Sequence, residues 1–503
     1  GDAEVAMASA LDLCVATGVS DPDECARVLA EHQLWKSRGD LESILHKALP
    51  SDCAERVAMR RRDMLLSGGG DDALLETVDG FLMKLPSAQR MRGWQKPPEE
   101  DASWASSLRS AMPEGYGICV IVLTEGPNAA DLSCAIIPQA AKEADPDAEE
   151  GAPNPTHTQV ARTPVDQDKL AAVRRDAALL REKQRRKHLD VGYSDPEGQG
   201  THELALSLTD AAEELLSPFT SLLASVLSEA PCTALVLCLD RSLCDLPWEA
   251  LGVLSDIATS RDFSVGFHVA RLKGGDGGDK IDTGAMRYIC DPHSEDIAGP
   301  SGSVERDEGL GLLSEALRGD VVGDGRWEGI LGSEAYPSQG EVQRILRGSS
   351  LLLYCGISAF LASVDPHVVA PLSLPSLQCA VLLDRADNEP SYRAQSKADT
   401  STISSILSLR DPYSTCALLS LRGVRCVVSN QWNTDASSNH ARCQSLIRAI
   451  VDSGESVGGA VASTGVAKVK VYRDAVAAAA AAKKAYEEAV VRQGEKERER
   501  EEK

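Results

Sequence analysis

Aromatic side chains are scarce in this chain and make up 4% of its 503 residues. Large rings therefore cannot fill most of the interior. Hydrophobic residues still account for 43% of the sequence, which is enough for packed cores built mainly from Leu, Val and Ala. On the usual prior of about 100–200 residues per domain, we expect roughly two to four domains.

Long apolar runs are also missing. No stretch approaches the roughly 18 consecutive apolar residues that a membrane-spanning helix needs, so we expect no membrane association. The sequence shows no secretory signal peptide, and it starts with Gly1-Asp2 rather than Met. We interpret the chain as a piece of a longer polypeptide, from its C-terminal end.

Positive charge is in short supply, because 52 Lys and Arg face 76 Asp and Glu and give a formal net charge of −24. Neutralising phosphates requires clustered Lys and Arg, so this balance argues against nucleic acid as a partner. A local basic patch remains compatible with it. The stretch from Leu170 to His188 is predicted to be such a basic helix. It could dock an acidic partner such as a tubulin tail, but a solvated face with local ion pairs is the simpler interpretation.

The chain has 14 cysteines but lacks the spacings that disulfide frameworks and zinc sites show. No Cys-x-x-Cys pair occurs, and no group of Cys and His has metal-ligand spacing. Cys238, Cys355, Cys379 and Cys426 lie in apolar runs, where a free thiol behaves as a small hydrophobe. We therefore expect buried thiols in a reducing compartment, and no metal or other cofactor.

Short apolar runs mark the expected strands. The run at 350–353 leads into Gly356 and Ile357, and the run at 379–383 leads into Asp384 and Arg385. Such runs alternate with helical stretches, which is typical of a parallel sheet buried on both faces. We predict one central sheet that contains the strands near 234–239, 286–290, 350–355, 379–383 and 424–429.

Several short motifs follow the order of one known family. They are Leu246-Pro247-Trp248-Glu249, Tyr288-Ile289-Cys290-Asp291-Pro292, Trp327-Glu328-Gly329 and Gln431-Trp432. With them the region 112–455 resembles the caspase-like cysteine peptidases of the separase and CHAT type. The resemblance implies an α/β fold, with a mostly parallel sheet flanked by helices. Leu246, Pro247, Trp248, Glu249, Trp327 and Trp432 would then have architectural roles, with Glu249 capping backbone amides or pairing with an arginine.

The catalytic dyad of that family does not match. In the family a His follows one strand in a Gly-His-Gly turn, and a Cys follows the next. The matching positions in this chain are Ile357 and Arg385. Ile357 can only pack, and a guanidinium is no nucleophile at neutral pH. An alignment shifted by one residue would place Asp384 at the nucleophile position, which supplies no thiolate either, and a displaced pair of Cys379 and His367 is a further alternative.

The segments around the caspase-like region are predicted to be helical, and Asp21-Pro22-Asp23 is a favourable helix start. The predicted organisation is a solenoid-like helical segment (1–95), a linker (96–111), the caspase-like region (112–455) with a mobile acidic, Pro-rich loop (141–165), and a projecting helix rich in Ala, Lys and Glu (456–503).

A kept scaffold with a lost dyad favours a structural role over an enzyme. The order of segments resembles that of large proteins of the ciliary central apparatus, in which helical repeats precede a separase-like region. That resemblance implies a cytoplasmic, cytoskeletal location in the axoneme of cilia or flagella. It also implies partners among other large central-apparatus projection proteins, calmodulin and tubulin. The alternatives are an active cysteine peptidase and a peptide-binding module that uses the old cleft.

Overall fold

The computed structural model describes a large part of the chain, in which two five-stranded sheets are surrounded by helices. The predicted α/β fold class is therefore confirmed. The described residues are 21–68, 72–82, 84, 104–125, 130–139, 158–189, 201–229, 232–254, 257–273, 281–290, 292, 327–331, 337–386, 393, 395–397, 399–400, 402–434 and 436–463. The predicted tail helix beyond 463 and the first 20 residues lie outside them.

The first sheet has the strand order β3-β2-β1-β4-β5. Its strands are β1 (Tyr116–Glu125), β2 (Ala130–Pro138), β3 (Gln159–Val165), β4 (Ala234–Leu239) and β5 (Ala258–Asp262). β1 and β2 form an antiparallel hairpin, and β4 and β5 continue parallel to β1. β3 pairs with β2, so the prediction of a mobile loop over 141–165 is wrong for residues 159–165.

The second sheet is parallel throughout, in the order β10-β9-β8-β6-β7. Its strands are β6 (Met286–Cys290), β7 (Trp327–Leu331), β8 (Leu351–Cys355), β9 (Cys379–Leu383) and β10 (Cys426–Ser429). Four of the five strands assigned to one sheet lie here. The prediction is wrong for 234–239, because β4 pairs on one side with β1 and on the other with β5.

Helices cover both sheets. In chain order they are α1 (Pro22–Ala48), α2 (Ala54–Gly68), α3 (Asp72–Leu82), α4 (Trp104–Ala111), α5 (Gln167–Leu189), α6 (Thr201–Leu215), α7 (Ser217–Glu229), α8 (Val265–Lys273), α9 (Gln339–Gly348), α10 (Phe360–Ser363), α11 (Pro366–Val369), α12 (Ser404–Leu407), α13 (Pro412–Leu421) and α14 (Ala436–Ile447). Local sequence explains two starts. Asp21 accepts a hydrogen bond from the Asp23 amide ahead of Pro22, and Ser338 and Glu341 form a capping box at α9.

Helix α1 packs against both sheets. Near its start Leu29 is buried with the apolar face of β1 and β2, and near its end Leu45 is buried with side chains of β8 and β9. At about 1.5 Å per residue its 27 residues are long enough to reach both. Between these two contacts the Gln33 side-chain amide donates to the carbonyls of Leu239 and Phe263. The helix is part of the α/β core, which differs from the predicted separate segment at 1–95.

The predicted linker also differs from the structure in its second half. Residues 104–111 form α4, in which Ala105 and Leu108 are buried. Arg109 of the same helix pairs with Asp23 at 2.5 Å and ties α4 to the start of α1. The turn-forming residues before Trp104 predict a linker and not a helix. Helix α4 is held by the pair of Arg109 and Asp23, which are far apart in sequence, so the local sequence does not reveal it.

The remaining faces of the sheets are covered by other helices. Helices α5, α6 and α7 pack on the other face of the first sheet. Helix α14 covers the second sheet through Cys443 and Leu446. Among the described residues, none of the helices is both long and apolar enough to cross a bilayer.

Candidate functional site

The carboxyl ends of β8 and β9 lie side by side, since the two strands are parallel neighbours with Cys355 opposite Leu383. The Gly356 amide donates to the Leu383 carbonyl at 3.2 Å, and the Ala386 amide donates to the Ile357 carbonyl at 3.1 Å. The structure therefore brings together the two predicted positions, Ile357 and Arg385. In open α/β sheets the carboxyl edge of the strands is the usual place for a site.

Gly356 is required here by a close approach. A Cβ at this position would lie 2.6 Å from the phenolic oxygen of Tyr354. The Tyr354 ring in turn makes an edge contact with Phe360, with ring centroids 5.0 Å apart. Packing around the Tyr354 ring thus explains why a glycine occupies this position.

Ile357 is buried and apolar. Its side chain is 2% exposed and belongs to the cluster between the second sheet and α14. The hydrocarbon side chain of Ile357 can neither accept nor donate a proton, so it can only pack at this edge of the sheet.

Arg385 follows β9 in a left-handed backbone conformation, with φ of +58°. That conformation costs a non-glycine residue about 1 kcal/mol. Its guanidinium donates to both oxygens of Asp384, at 2.9 and 3.1 Å, and to the Arg410 carbonyl. The Arg385 carbonyl accepts from the Thr434 amide at 3.0 Å. The residue is therefore fixed through both its backbone and its side chain.

Asp384 is fully buried. Burial raises the pKa of its carboxyl group, and the charge of Arg385 opposes that rise. One carboxylate oxygen also accepts from the Phe360 amide at 2.8 Å. If the family alignment is shifted by one residue, the nucleophile position holds a carboxylate that is already committed to an ion pair.

Sequence reasoning missed a set of amides on the other side of Asp384. The Asn430 side-chain amide donates to the Asp384 carbonyl at 2.9 Å and to the Asn439 amide oxygen at 3.0 Å. Arg442 donates to the Asn430 oxygen at 3.0 Å. Asn430 directly follows β10. That position at the carboxyl end of a neighbouring strand is the sequence feature from which its contact with Asp384 could have been predicted. These side chains fasten the loop after β10, and α14, to the end of β9.

The displaced pair of Cys379 and His367 is not brought together by any contact among the described residues. The His367 ring bonds the Ala48 carbonyl at 2.9 Å. Cys379 begins β9, opposite Cys426 of β10, and a hydrogen bond between these two thiols, together with burial, raises the pKa of Cys379. Cys355 likewise bonds Cys443, which with burial raises the pKa of Cys355. Thiols in this state are weakly nucleophilic.

The Leu-Pro-Trp-Glu motif follows β4 and the short turn at Arg241–Leu243, and Leu246 and Trp248 are buried. The indole N–H of Trp248 donates to the Leu243 carbonyl at 2.8 Å, and its ring makes an edge contact with Phe219. Pro247 precedes the 3₁₀ turn Trp248–Ala250. These contacts fix the path of the chain as it leaves the strand.

Glu249 pairs with Arg261 of β5, one of the two roles expected for it. Arg261 also donates to the Leu246 carbonyl at 3.1 Å and to the Gln431 side chain at 3.2 Å. Because Gln431 follows β10, this arginine joins the motif in the first sheet to the second sheet.

The other two signature tryptophans are also structural. Trp327 begins β7 and is buried in the cluster under α14. Trp432 is partly buried against the cluster of the first sheet, although it follows a strand of the second. In the described parts of the chain, no group of His, Cys, Asp or Glu is arranged to hold a metal ion.

Comparisons with known proteins gave similarity in structure only. No protein-family model matches the sequence, and no curated protein matches it. Two crystal structures of the Saccharomyces cerevisiae separase–securin complex are similar to the chain. For the 3.0 Å structure the TM-score is 0.41 at 13% identity, over 72% of this chain and 30% of the other. For the 2.6 Å structure the TM-score is 0.48 at 11% identity, over 88% and 35%, so the chain spans about a third of the length of the chains it matches.

Proposed function

We propose that this region is a non-enzymatic scaffold built on a degenerate peptidase fold. The observation that carries the proposal is the pair of residues at the carboxyl edge of β8 and β9. Ile357 is packed hydrocarbon, and Arg385 is held by Asp384 and the Arg410 carbonyl. Neither position supplies the thiolate or the imidazole that peptidase chemistry needs.

The two sheets are well suited to a rigid platform, because polar contacts cross between them. Arg241, after β4, pairs with Asp411, before α13, at 3.1 Å. Arg271 of α8 donates to the Arg425 carbonyl next to β10. Together with α1 these contacts hold the sheets in one arrangement, which favours docking over the opening and closing of a cleft.

The cellular role is inferred from the resemblance stated above. We infer that the chain is the C-terminal region of a protein of the cilia- and flagella-associated protein 46 type, in a projection of the central-apparatus microtubules. Its partners would be other large projection proteins, calmodulin and, directly or indirectly, tubulin. The support is the order of motifs and segments in the sequence, together with cysteines that form no disulfide among the described residues, which suits a reducing compartment.

The scaffold role is tested in a ciliated cell whose own copy is replaced by the full-length protein without residues 21–463. We expect loss of a central-apparatus projection and its neighbouring subunits in electron tomograms, and a beating defect. A second strain carries Arg385→Ala, which leaves the chain at full length, and should keep the projection in proportion to the amount of folded protein. An intact projection in the deletion strain would contradict the axonemal role.

The absence of peptidase activity is tested separately with the purified chain and a thiol-reactive peptide warhead. Burial raises the pKa of Cys244 to about 12 and of Cys416 to about 11. Hydrogen bonds to Cys443 and Cys426, together with burial, raise the pKa of Cys355 and of Cys379, so we expect these four thiols to be labelled slowly. The bond with Cys379 lowers the pKa of Cys426, and a peptide should not protect that thiol from labelling. One fast-reacting cysteine that a peptide protects would restore the peptidase alternative, whatever the result in cells.

A further inference from the structure

Helix α2 carries a basic and apolar stripe on its exposed side. The stripe consists of Val57, Arg60, Arg61 and Met64, which share one helix face because they are three, four and seven residues apart. Val57 is 51% exposed and Met64 is 74% exposed. Arg60 and Arg61 are exposed as well. All four side chains are thus open to solvent in the part of the chain that the structure describes.

The positive charge of this α2 stripe is not compensated. The neighbouring Arg62 pairs with Asp79 of α3 at 2.9 Å, whereas the side chains of Arg60 and Arg61 have no ion pair or hydrogen bond among the described residues. Burial and then the charge of Arg60 lower the pKa of Arg56. Burial, followed by the charges of Arg56 and Arg60, also lowers the pKa of His46, while the charge of Asp63 and a backbone hydrogen bond oppose the effect. Cations are thus concentrated on one small surface of a chain with a net charge of −24.

Contacts with the α/β core hold helix α2, and with it the stripe, in place. Glu55 at the start of α2 pairs with Arg422 at 3.4 Å, and both side chains are buried. Arg56 donates to the Leu49 carbonyl at the end of α1, and Met59 packs on the main core of the second sheet. The inner side of α2 is therefore occupied by the α/β core, and the outer side presents the stripe in a fixed orientation.

We propose that the α2 stripe docks an acidic amphipathic segment of another protein. Its apolar side chains would contact Val57 and Met64, and its carboxylates would bind Arg60 and Arg61. The arginine fork suits a carboxylate, and the flexible methionine adapts to apolar side chains of different shape. The inference stands apart from the proposed scaffold role, since it would hold equally for an enzyme.

A short peptide fits this surface better than a membrane or a nucleic acid. From Val57 to Met64 the stripe extends about 10 Å along the helix axis. An extended anionic surface would bring its charge close to the rest of this acidic chain as well, where the two would repel each other. A helical segment of two to three turns can bind the stripe without approaching the rest of this acidic chain.

The test measures binding of the full chain to a fluorescent, helical peptide with Leu and Glu on one face. A matched peptide has Lys in place of Glu, and another has Ser in place of Leu. We expect binding of the Leu/Glu peptide only, weakening as salt rises. The variant R60E/R61E should weaken it about 10-fold or more, and V57S/M64S should weaken it without changing the salt dependence. The control Arg347→Glu reverses an exposed arginine on α9 and should change binding less than about 2-fold.

Several outcomes would overturn the proposal. They are no binding of the Leu/Glu peptide, equal binding of the Leu/Lys peptide, and an equal loss in the Arg347→Glu control. Binding to vesicles of phosphatidylcholine and phosphatidylserine, lost in R60E/R61E and stronger than binding to the peptide, would instead assign the stripe to a membrane surface. All four substituted positions are exposed, so the thermal unfolding midpoints of the variants should match that of the unchanged chain and exclude misfolding as the cause.

Discussion

Arg385 binds the carboxylate of Asp384, its neighbour in sequence, at 2.9 and 3.1 Å. An ion pair between adjacent residues at the end of a strand requires the second residue to turn back on the first. The left-handed backbone of Arg385 provides that turn. The pair lies at the carboxyl end of β9, where the guanidinium neutralises a buried carboxylate.

We predict that Arg385→Ala destabilises the chain by about 3 kcal/mol, because it leaves Asp384 buried without its cation. Since burial already raises the pKa of Asp384 in the folded state, losing the cation raises that pKa further. The folded variant then binds a proton that the unfolded chain releases, so its stability falls as pH rises above the unfolded pKa near 3.8.

The measurement is urea unfolding at about pH 4 and about pH 8, because the lower value lies close to the unfolded pKa near 3.8 and stability falls from there as the pH rises. The loss in Arg385→Ala should be larger at the higher pH. Asp384→Asn in the same background should remove the pH dependence. Arg347→Ala serves as the control at an exposed arginine, and an equal loss at both pH values in Arg385→Ala would contradict the assignment to Asp384.

A second prediction concerns the close approach at Gly356. Gly356→Ala should destabilise the chain by about 1–3 kcal/mol, because its Cβ would lie 2.6 Å from the Tyr354 oxygen. Tyr354→Phe removes that oxygen, so the double variant should lose less than the sum of the two single variants. Thermal unfolding of all four proteins gives the coupling. Strict additivity would place the strain elsewhere.

A third prediction concerns the bridge between the sheets. Arg261→Ala removes the bonds to Glu249, to the Leu246 carbonyl and to Gln431 at once, and should cost about 2 kcal/mol. Glu249→Ala should cost less, because Glu249 is 41% exposed and Arg261 keeps its other partners. Arg261→Lys keeps the positive charge but loses the branched guanidinium, so its loss of stability should lie between those of Glu249→Ala and Arg261→Ala. A larger loss in Glu249→Ala than in Arg261→Ala would show that the link to the second sheet contributes little.

Much of the second sheet could be predicted from the sequence, because its strands are short apolar runs. The run at 379–383 matches β9, whereas the run at 350–353 stops two residues before the end of β8 at Cys355. Because the two strands are parallel neighbours, Ile357 and Arg385 lie beside each other. The division into two sheets could not be predicted in this way. An apolar run such as β4 shows that a strand is buried, but its neighbours are set by long-range pairing with β1 and β5.

The side-chain amide contacts around Asp384 also depend on long-range packing and could not be predicted from the local sequence. Asn430 and Asn439 are ordinary polar residues in the sequence, and only the packing of α14 against the second sheet brings them to the Asp384 carbonyl. Helix α1 is a further case. Its start signal at Asp21 and Pro22 was readable, but nothing local to the helix reveals that its two ends contact different sheets.

The last prediction follows from this position of α1. Leu29→Ala opens a cavity beside the first sheet and Leu45→Ala opens one beside the second, and each should cost about 2–5 kcal/mol. Because one helix joins both cores, we expect a single unfolding transition that either variant shifts as a whole. The measurement is hydrogen exchange of the backbone amides in β1 and β8. In each variant the amides of both strands should lose their protection against exchange together. If Leu29→Ala affected β1 alone and Leu45→Ala affected β8 alone, the two sheets would unfold independently and α1 would not couple them.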